Sequence, residues 1–181
     1  MRIAIFLVLA TLGTALDLWT KYAIFAWRGN PGQLGPYWIV EPYVGIETAV
    51  NMGALFGLGQ GFGWLFSALS IVAAIGIVYW LFILKAAKSL WLTIAMGLIM
   101  GGIFGNLYDR LGIPNLPDDK RGGVRDWILL TYNDYVWPNF NIADSVLVTG
   151  AIMLAIHSFR NDPLASPTEP KAVSENGKHA R

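Results

Sequence analysis

The sequence predicts an all-α membrane protein, with four transmembrane helices, a small β-rich element on the outer surface and a short helix or flap beside it. Three observations carry that prediction. Of 181 residues 55% are apolar and 14% charged, against about 25% charged in soluble domains. Mean hydropathy is +0.48. Four stretches meet or approach the roughly 20 apolar residues that a helix needs to cross a bilayer core.

The first stretch, Ile3 to Leu16, runs into Asp17-Leu18-Trp19-Thr20-Lys21, where Trp19, Tyr22 and a snorkelling Lys21 read as an interfacial anchor. Arg2 before an apolar run also reads as a signal peptide. Against that, no Ala-x-Ala-like site follows, and apolar stretches recur three more times. Phe62 to Leu84 and Ser89 to Tyr108 hold no charge over 23 and 20 residues. The fourth, Phe140 to Phe159, carries Asn141 and Asp144 at its start and His157 near its end, and stops at Arg160. Helices are thus expected at about 3–21, 62–84, 89–109 and 140–159, in one unit spanning 1–160. Residues 161–181, with Pro163, Pro167 and Pro170 among polar residues, read as a disordered tail.

Orientation follows from flanking lysine and arginine. With the Lys85/Lys88 hairpin on the cytoplasmic side, both termini lie there too, and the segments 27–61 and 111–139 lie outside. The first outer segment mixes turn signals (Gly29-Asn30-Pro31-Gly32) with β-prone runs such as Tyr37-Trp38-Ile39-Val40, which predicts a small sheet on the membrane surface.

Composition excludes several functions. A net charge of +1 gives no basic excess for a nucleic-acid backbone, so no nucleic-acid partner is expected. There is no cysteine, hence no disulfide, thiolate site or cysteine nucleophile. With His157 and His179 alone there is no His-Glu-x-x-His motif, so neither a metal nor another cofactor is expected. The serines lack a Gly-x-Ser-x-Gly context. Gly101-Gly102-Ile103-Phe104-Gly105 lies inside a span, where small residues serve close helix packing rather than phosphate binding.

Ionisable residues at membrane depth cost several kcal/mol and are functional candidates by default. In this topology Asp17, Asn106, Asp109, Arg110, Asn141 and Asp144 converge on one outer layer. Each also has a structural explanation. Asp17 and Lys21 share a helix face as an ion pair; Asn141 and Asp144 have capping-pair spacing; Asp109 and Arg110 neutralise one another; Asp118, Asp119 and Asp134 read as solvated loop charges. Asp126 is different. It stands in Gly122-Gly123-Val124-Arg125-Asp126-Trp127-Ile128, where a loop turns apolar, so its segment dips back as a short helix or strand toward Asp144. Two carboxylates that close do not both ionise, so the pair supplies an acid and a base able to activate water against a peptide bond.

Five motifs, in order along four helices, carry a family resemblance: Asp17-Leu18-Trp19-Thr20-Lys21; Asn51-Met52-Gly53-Ala54-Leu55-Phe56-Gly57; Gly101 to Arg110; Val124-Arg125-Asp126; and Phe140-Asn141-Ile142-Ala143-Asp144. Over about 1–160 the chain resembles lipoprotein signal peptidase, or signal peptidase II. The resemblance implies an aspartic endopeptidase of the bacterial cytoplasmic membrane, both termini cytoplasmic, with its β-rich element and flap in the periplasm and its active site near the outer face. It implies monomeric action on prolipoprotein substrates whose cysteine bears a diacylglyceryl group, held in membrane lipid and cut just before that cysteine. Asp126 and Asp144 would be the catalytic pair. Asn51, Gly53, Asn106, Arg110 and Asn141 would hold substrate or the tetrahedral intermediate, with Gly53 and Gly57 allowing close backbone approach. Asp17, Lys21 and Asp109 would brace the site. Two departures stand out: Trp127 replaces the usual phenylalanine, and the Leu111–Gly123 loop is longer than usual, which reshapes the outer flap. A small proton-coupled transporter or a non-catalytic membrane scaffold is the alternative.

Overall fold

In a computed structural model, residues 1–53, 59–84 and 89–160 are described, Arg160 by backbone alone. The Lys85/Lys88 hairpin, Gly57 and the tail 161–181 lie outside them. The order is α1 (Arg2–Arg28), β1 (Tyr37–Val40), β2 (Val44–Asn51), α2 (Gly63–Val78, continued by a π-helical turn Tyr79–Ile83), α3 (Leu90–Arg110), β3 (Val124–Tyr132), β4 (Tyr135–Phe140) and α4 (Ile142–Arg160). Among the described residues, four helices are long and apolar enough to cross a membrane.

α1 is longer than the sequence suggested. It continues from Lys21 to Arg28 because nothing breaks it before Gly29, which has φ 76° and ends the helix. Its 27 residues span about 40 Å at 1.5 Å per residue, more than a bilayer core of about 30 Å. α4 starts two residues later than expected, since Phe140 belongs to β4.

α3 is the central helix, packed against α1, α2 and α4. Its glycines make this possible. A Cβ on Gly101 would lie 3.2 Å from Gly13 Cα and from the Ala10 carbonyl, and one on Gly102 would run into the Ala143 carbonyl. The apolar core lies along this seam, with Phe6, Ala10, Met96, Met100 and Ile103 buried. Ser89 caps α3 by accepting the Leu92 amide. The outer faces of the spans keep Leu7, Leu12, Val72, Ile75 and Ile152 exposed, the pattern of a surface solvated by lipid.

The segments between α1 and α2 and between α3 and α4 join in one antiparallel sheet, ordered β1-β2-β3-β4. β3 sits in its middle, with Ala49 opposite Asp126 and Asn51 opposite Val124. β3 and β4 connect tightly through Asn133-Asp134, with Asn133 at φ 52°, a left-handed conformation that asparagine tolerates. The segment between α3 and β3 contains a single 3-10 turn, Asp118–Lys120. Asp126 thus arrives on a strand, of the two forms the sequence left open.

Candidate active site

The polar residues assemble in two tiers at the end of the bundle beneath the sheet. The deeper tier is ionic. Lys21 Nζ lies 2.7 Å from Asp17 Oδ2 and 3.2 Å from Asp109 Oδ2, and it donates to Asn106 Oδ1 at 3.0 Å. Asp109 also receives Arg125 through Nε (3.1 Å), Nη2 (2.8 Å) and the backbone N–H (2.9 Å). All four ionic side chains are at most 2% exposed. Two acids and two bases cancel, which is the condition for burying charge.

Two sequence expectations are corrected here. Lys21 does not snorkel to the interface: it faces inward, because three acceptors there satisfy its ammonium donors. Asp109 does not neutralise Arg110, its chain neighbour, but pairs with Lys21 and Arg125. The Asp17–Lys21 pair forms as its spacing implied. The other Asp17 oxygen accepts the Ala143 amide at 2.8 Å, so an acid on α1 satisfies an orphan N–H in the first turn of α4. Gly105 makes room for it, since a Cβ there would stand 2.5 Å from Asp17 Oδ2.

The upper tier holds the two aspartates. Asn141 and Asp144 form a reciprocal capping box: the Asp144 amide donates to Asn141 Oδ1 (2.9 Å), and the Asn141 amide to Asp144 Oδ2 (3.2 Å). Asn141 Nδ2 also donates to Asp126 Oδ1 at 2.6 Å and to Asn106 Oδ1 at 3.1 Å, while Asn106 Nδ2 donates to Asp144 Oδ1 at 2.8 Å. The capping explanation and proximity to Asp126 therefore both hold for Asp144. Burial first, then the nearby Asp144 charge, raise the Asp126 carboxyl well above the usual carboxylate range, although the Asn141 hydrogen bond opposes them.

Arg110 closes one side. Its Nη2 donates to the Gly53 carbonyl at 3.1 Å and its guanidinium lies 5.1 Å from the centre of the Phe66 ring. Its Nη1 is buried with no partner among the described residues. Asn51 Oδ1 accepts the Gly53 amide at 2.9 Å, which fixes the turn leaving β2.

Asn51, Asn106, Arg110, Asp126 and Asp144 line a cavity of about 700 Å³. Its remaining wall is largely apolar, with Phe66, Leu69 and Ala73 from α2, Ile103 from α3, Leu147 and Val148 from α4, and Trp137 from β4. The fold thus brings all ten sequence candidates into one cluster or its immediate supports. Sequence reasoning missed Arg125 as a support, although its place one residue before Asp126 on a strand sends it to the opposite face, toward Asp109. It also missed the apolar wall, because cavity-facing and lipid-facing residues on a span are chemically alike.

The comparisons agree with this architecture. The family model described as signal peptidase (SPase) II matches residues 9–160. A lipoprotein signal peptidase of Rhodopirellula baltica is 62% identical over 162 residues, covering 87% of this chain and 73% of that protein. One from Geobacillus thermodenitrificans is 35% identical over 158 residues, covering 87% and 91%. A solved structure described as a bacterial membrane enzyme superposes with a TM-score of 0.76 at 28% identity, covering 93% of this chain and 96% of that one. The span pattern and these matches lead to one assignment: the chain belongs to the signal peptidase II family.

Proposed function

We propose that this chain is an aspartic endopeptidase that cleaves diacylglyceryl-modified prolipoproteins just before the lipid-bearing cysteine. Membership of the family makes it a peptidase that removes signal peptides from prolipoproteins. The observation that supports the aspartic mechanism is the single asparagine, Asn141, hydrogen-bonded to both Asp126 and Asp144 at the polar end of an apolar cavity.

Asp144, which accepts two N–H bonds, acts as the base. It takes a proton from water as the water oxygen attacks the scissile carbonyl carbon. Asp126, held in its acid form by burial, gives its proton to the carbonyl oxygen, which yields a neutral tetrahedral diol. The C–N bond then breaks as Asp144 returns its proton to the departing amine, and a diol hydroxyl gives its proton back to Asp126. The products are a free carboxyl group on the signal peptide and a free amine on the cysteine. Arg110 Nη1, buried and unpartnered, offers a donor to a substrate carbonyl, and Asn51 flanks it. Asn106 and Asn141 hold the two acids in register, while Asp17, Lys21 and Asp109 brace them.

The apolar wall suits the diacylglyceryl chains, entering laterally from the membrane with membrane lipid around them. The same reading has a monomer, both termini cytoplasmic and the site at the outer face. A proton-relay role would call for acids spread through the depth of the bundle, whereas those of the spans gather at one end. Purified protein should cleave a diacylglyceryl-modified precursor peptide and leave the unmodified peptide intact. Equal turnover of both contradicts the lipid requirement.

A further inference from the structure

We propose that Ser70 on α2 determines lipid specificity by donating a hydrogen bond to an ester carbonyl of the diacylglyceryl group. The proposal rests on the reading above that the cavity receives a diacylglyceryl-cysteine.

Phe66, Leu69, Ser70 and Ala73 line the cavity. Their spacing of i, i+3, i+4 and i+7 makes one helical face, with Ser70 in its middle. The cavity is layered along the helix axes. Phe66 lies at the level of the acids, through its contact with Arg110. Ser70 follows four residues later, which is one turn or about 6 Å further in. Ile103 and Leu147 are likewise one turn inward from Asn106 and Asp144 on their own helices. Ser70 therefore sits in the apolar layer, where a hydroxyl needs a reason.

Its bonding supplies the second observation. Ser67, Thr93, Ser145 and Thr149 all turn their hydroxyls back on carbonyls of their own helices. Ser70, a half-buried residue, does not, and its hydroxyl has no hydrogen-bond partner among the described residues. A donor in a hydrocarbon layer matches an acceptor arriving with the substrate. With the scissile amide at the acids, the thioether and glycerol carbons of the modified cysteine place the ester carbonyls roughly a helical turn deeper. The hydrocarbon tails beyond them meet Ala73 and Val148.

The test compares two precursor peptides, one with ester-linked and one with ether-linked chains, on the full-length protein in detergent. The ether analogue keeps the shape and loses the carbonyl acceptors. The native enzyme should favour the ester substrate by about three- to tenfold in kcat/KM, the worth of one hydrogen bond. Ser70→Ala should lower the ester rate to that of the ether and leave the ether rate unchanged, and Ser70→Thr, which keeps the donor, should retain the preference. Absence of a preference in the native enzyme, a preference that survives Ser70→Ala, or an equal loss on both substrates overturns the proposal. Failure of the native enzyme to cut any lipidated peptide would instead overturn the underlying function.

Discussion

Asn141 donates its side-chain N–H to Asp126 Oδ1 at 2.6 Å and its backbone N–H to Asp144 Oδ2 at 3.2 Å, so one residue spans both carboxylates. Asn141 is itself fully buried and stands just before α4, and β4 delivers it there. The geometry of the acid pair is therefore set by the register of β3 against β4 and by the start of α4, not by either aspartate alone.

Asn141→Ala removes the cap and the bridge together. Loss of the cap should lower stability by about 1 kcal/mol. Loss of the bridge frees Asp126 to turn away, so kcat should fall on the order of a hundredfold, the lower range for misplacing an acid–base group. Thermal unfolding and cleavage rates measured on the same preparation check both. A variant with normal kcat would show that the bridge is unimportant.

The raised Asp126 carboxyl has a consequence for stability. A carboxyl with its folded pKa above the unfolded value of about 3.9 binds more protons in the folded state, so stability falls as pH rises from that value through the raised folded one. Burial and the Asp144 charge hold that value up. Asp126→Asn removes the titration. The variant should be inactive yet more thermostable than the native protein at neutral and alkaline pH, with a flatter pH dependence. Thermal midpoints taken across pH 4 to 8 decide it, and a less stable variant at pH 8 contradicts the cause assigned here.

The ionic tier makes a different prediction, because its charges cancel. Lys21→Met leaves Asp17 and Asp109 against Arg125 alone, an uncompensated buried charge worth about 3–5 kcal/mol. Adding Asp17→Asn restores balance and should recover part of that loss. Expression level and thermal midpoint of the single and double variants provide the comparison. A double variant less stable than Lys21→Met would refute charge balance as the reason for the cluster.

Much of this was legible in the sequence, for reasons that differ by element. The spans declare themselves because hydrocarbon demands an uninterrupted apolar run, as in Ser89 to Tyr108. Asn141 and Asp144 declare a helix start through their spacing, and α4 begins there. The β-prone run at Tyr37 declares a sheet, but two of its strands are β3 and β4, and the pairing of β3 with β2 across a long separation in sequence is encoded by no local pattern. Lys21 was misread for a related reason. Its neighbours Trp19 and Tyr22 suggest an interface, whereas the acceptors that draw it inward, Asp109 and Asn106, lie on another helix. Gly105 illustrates the same limit: its role is to leave room for Asp17, a contact between α3 and α1.

The most direct test of the paired-acid account is a kinetic cycle on Asp126→Asn, Asp144→Asn and the double variant, measured as kcat on one lipidated precursor peptide. Two groups acting as one unit lose their function together. Each single variant should fall by roughly a thousandfold, within the range for removal of a general acid or base, and the double variant should fall no further than either single one. Losses that multiply in the double variant, or substantial activity left in Asp144→Asn, would show that the two carboxylates do not act as a pair.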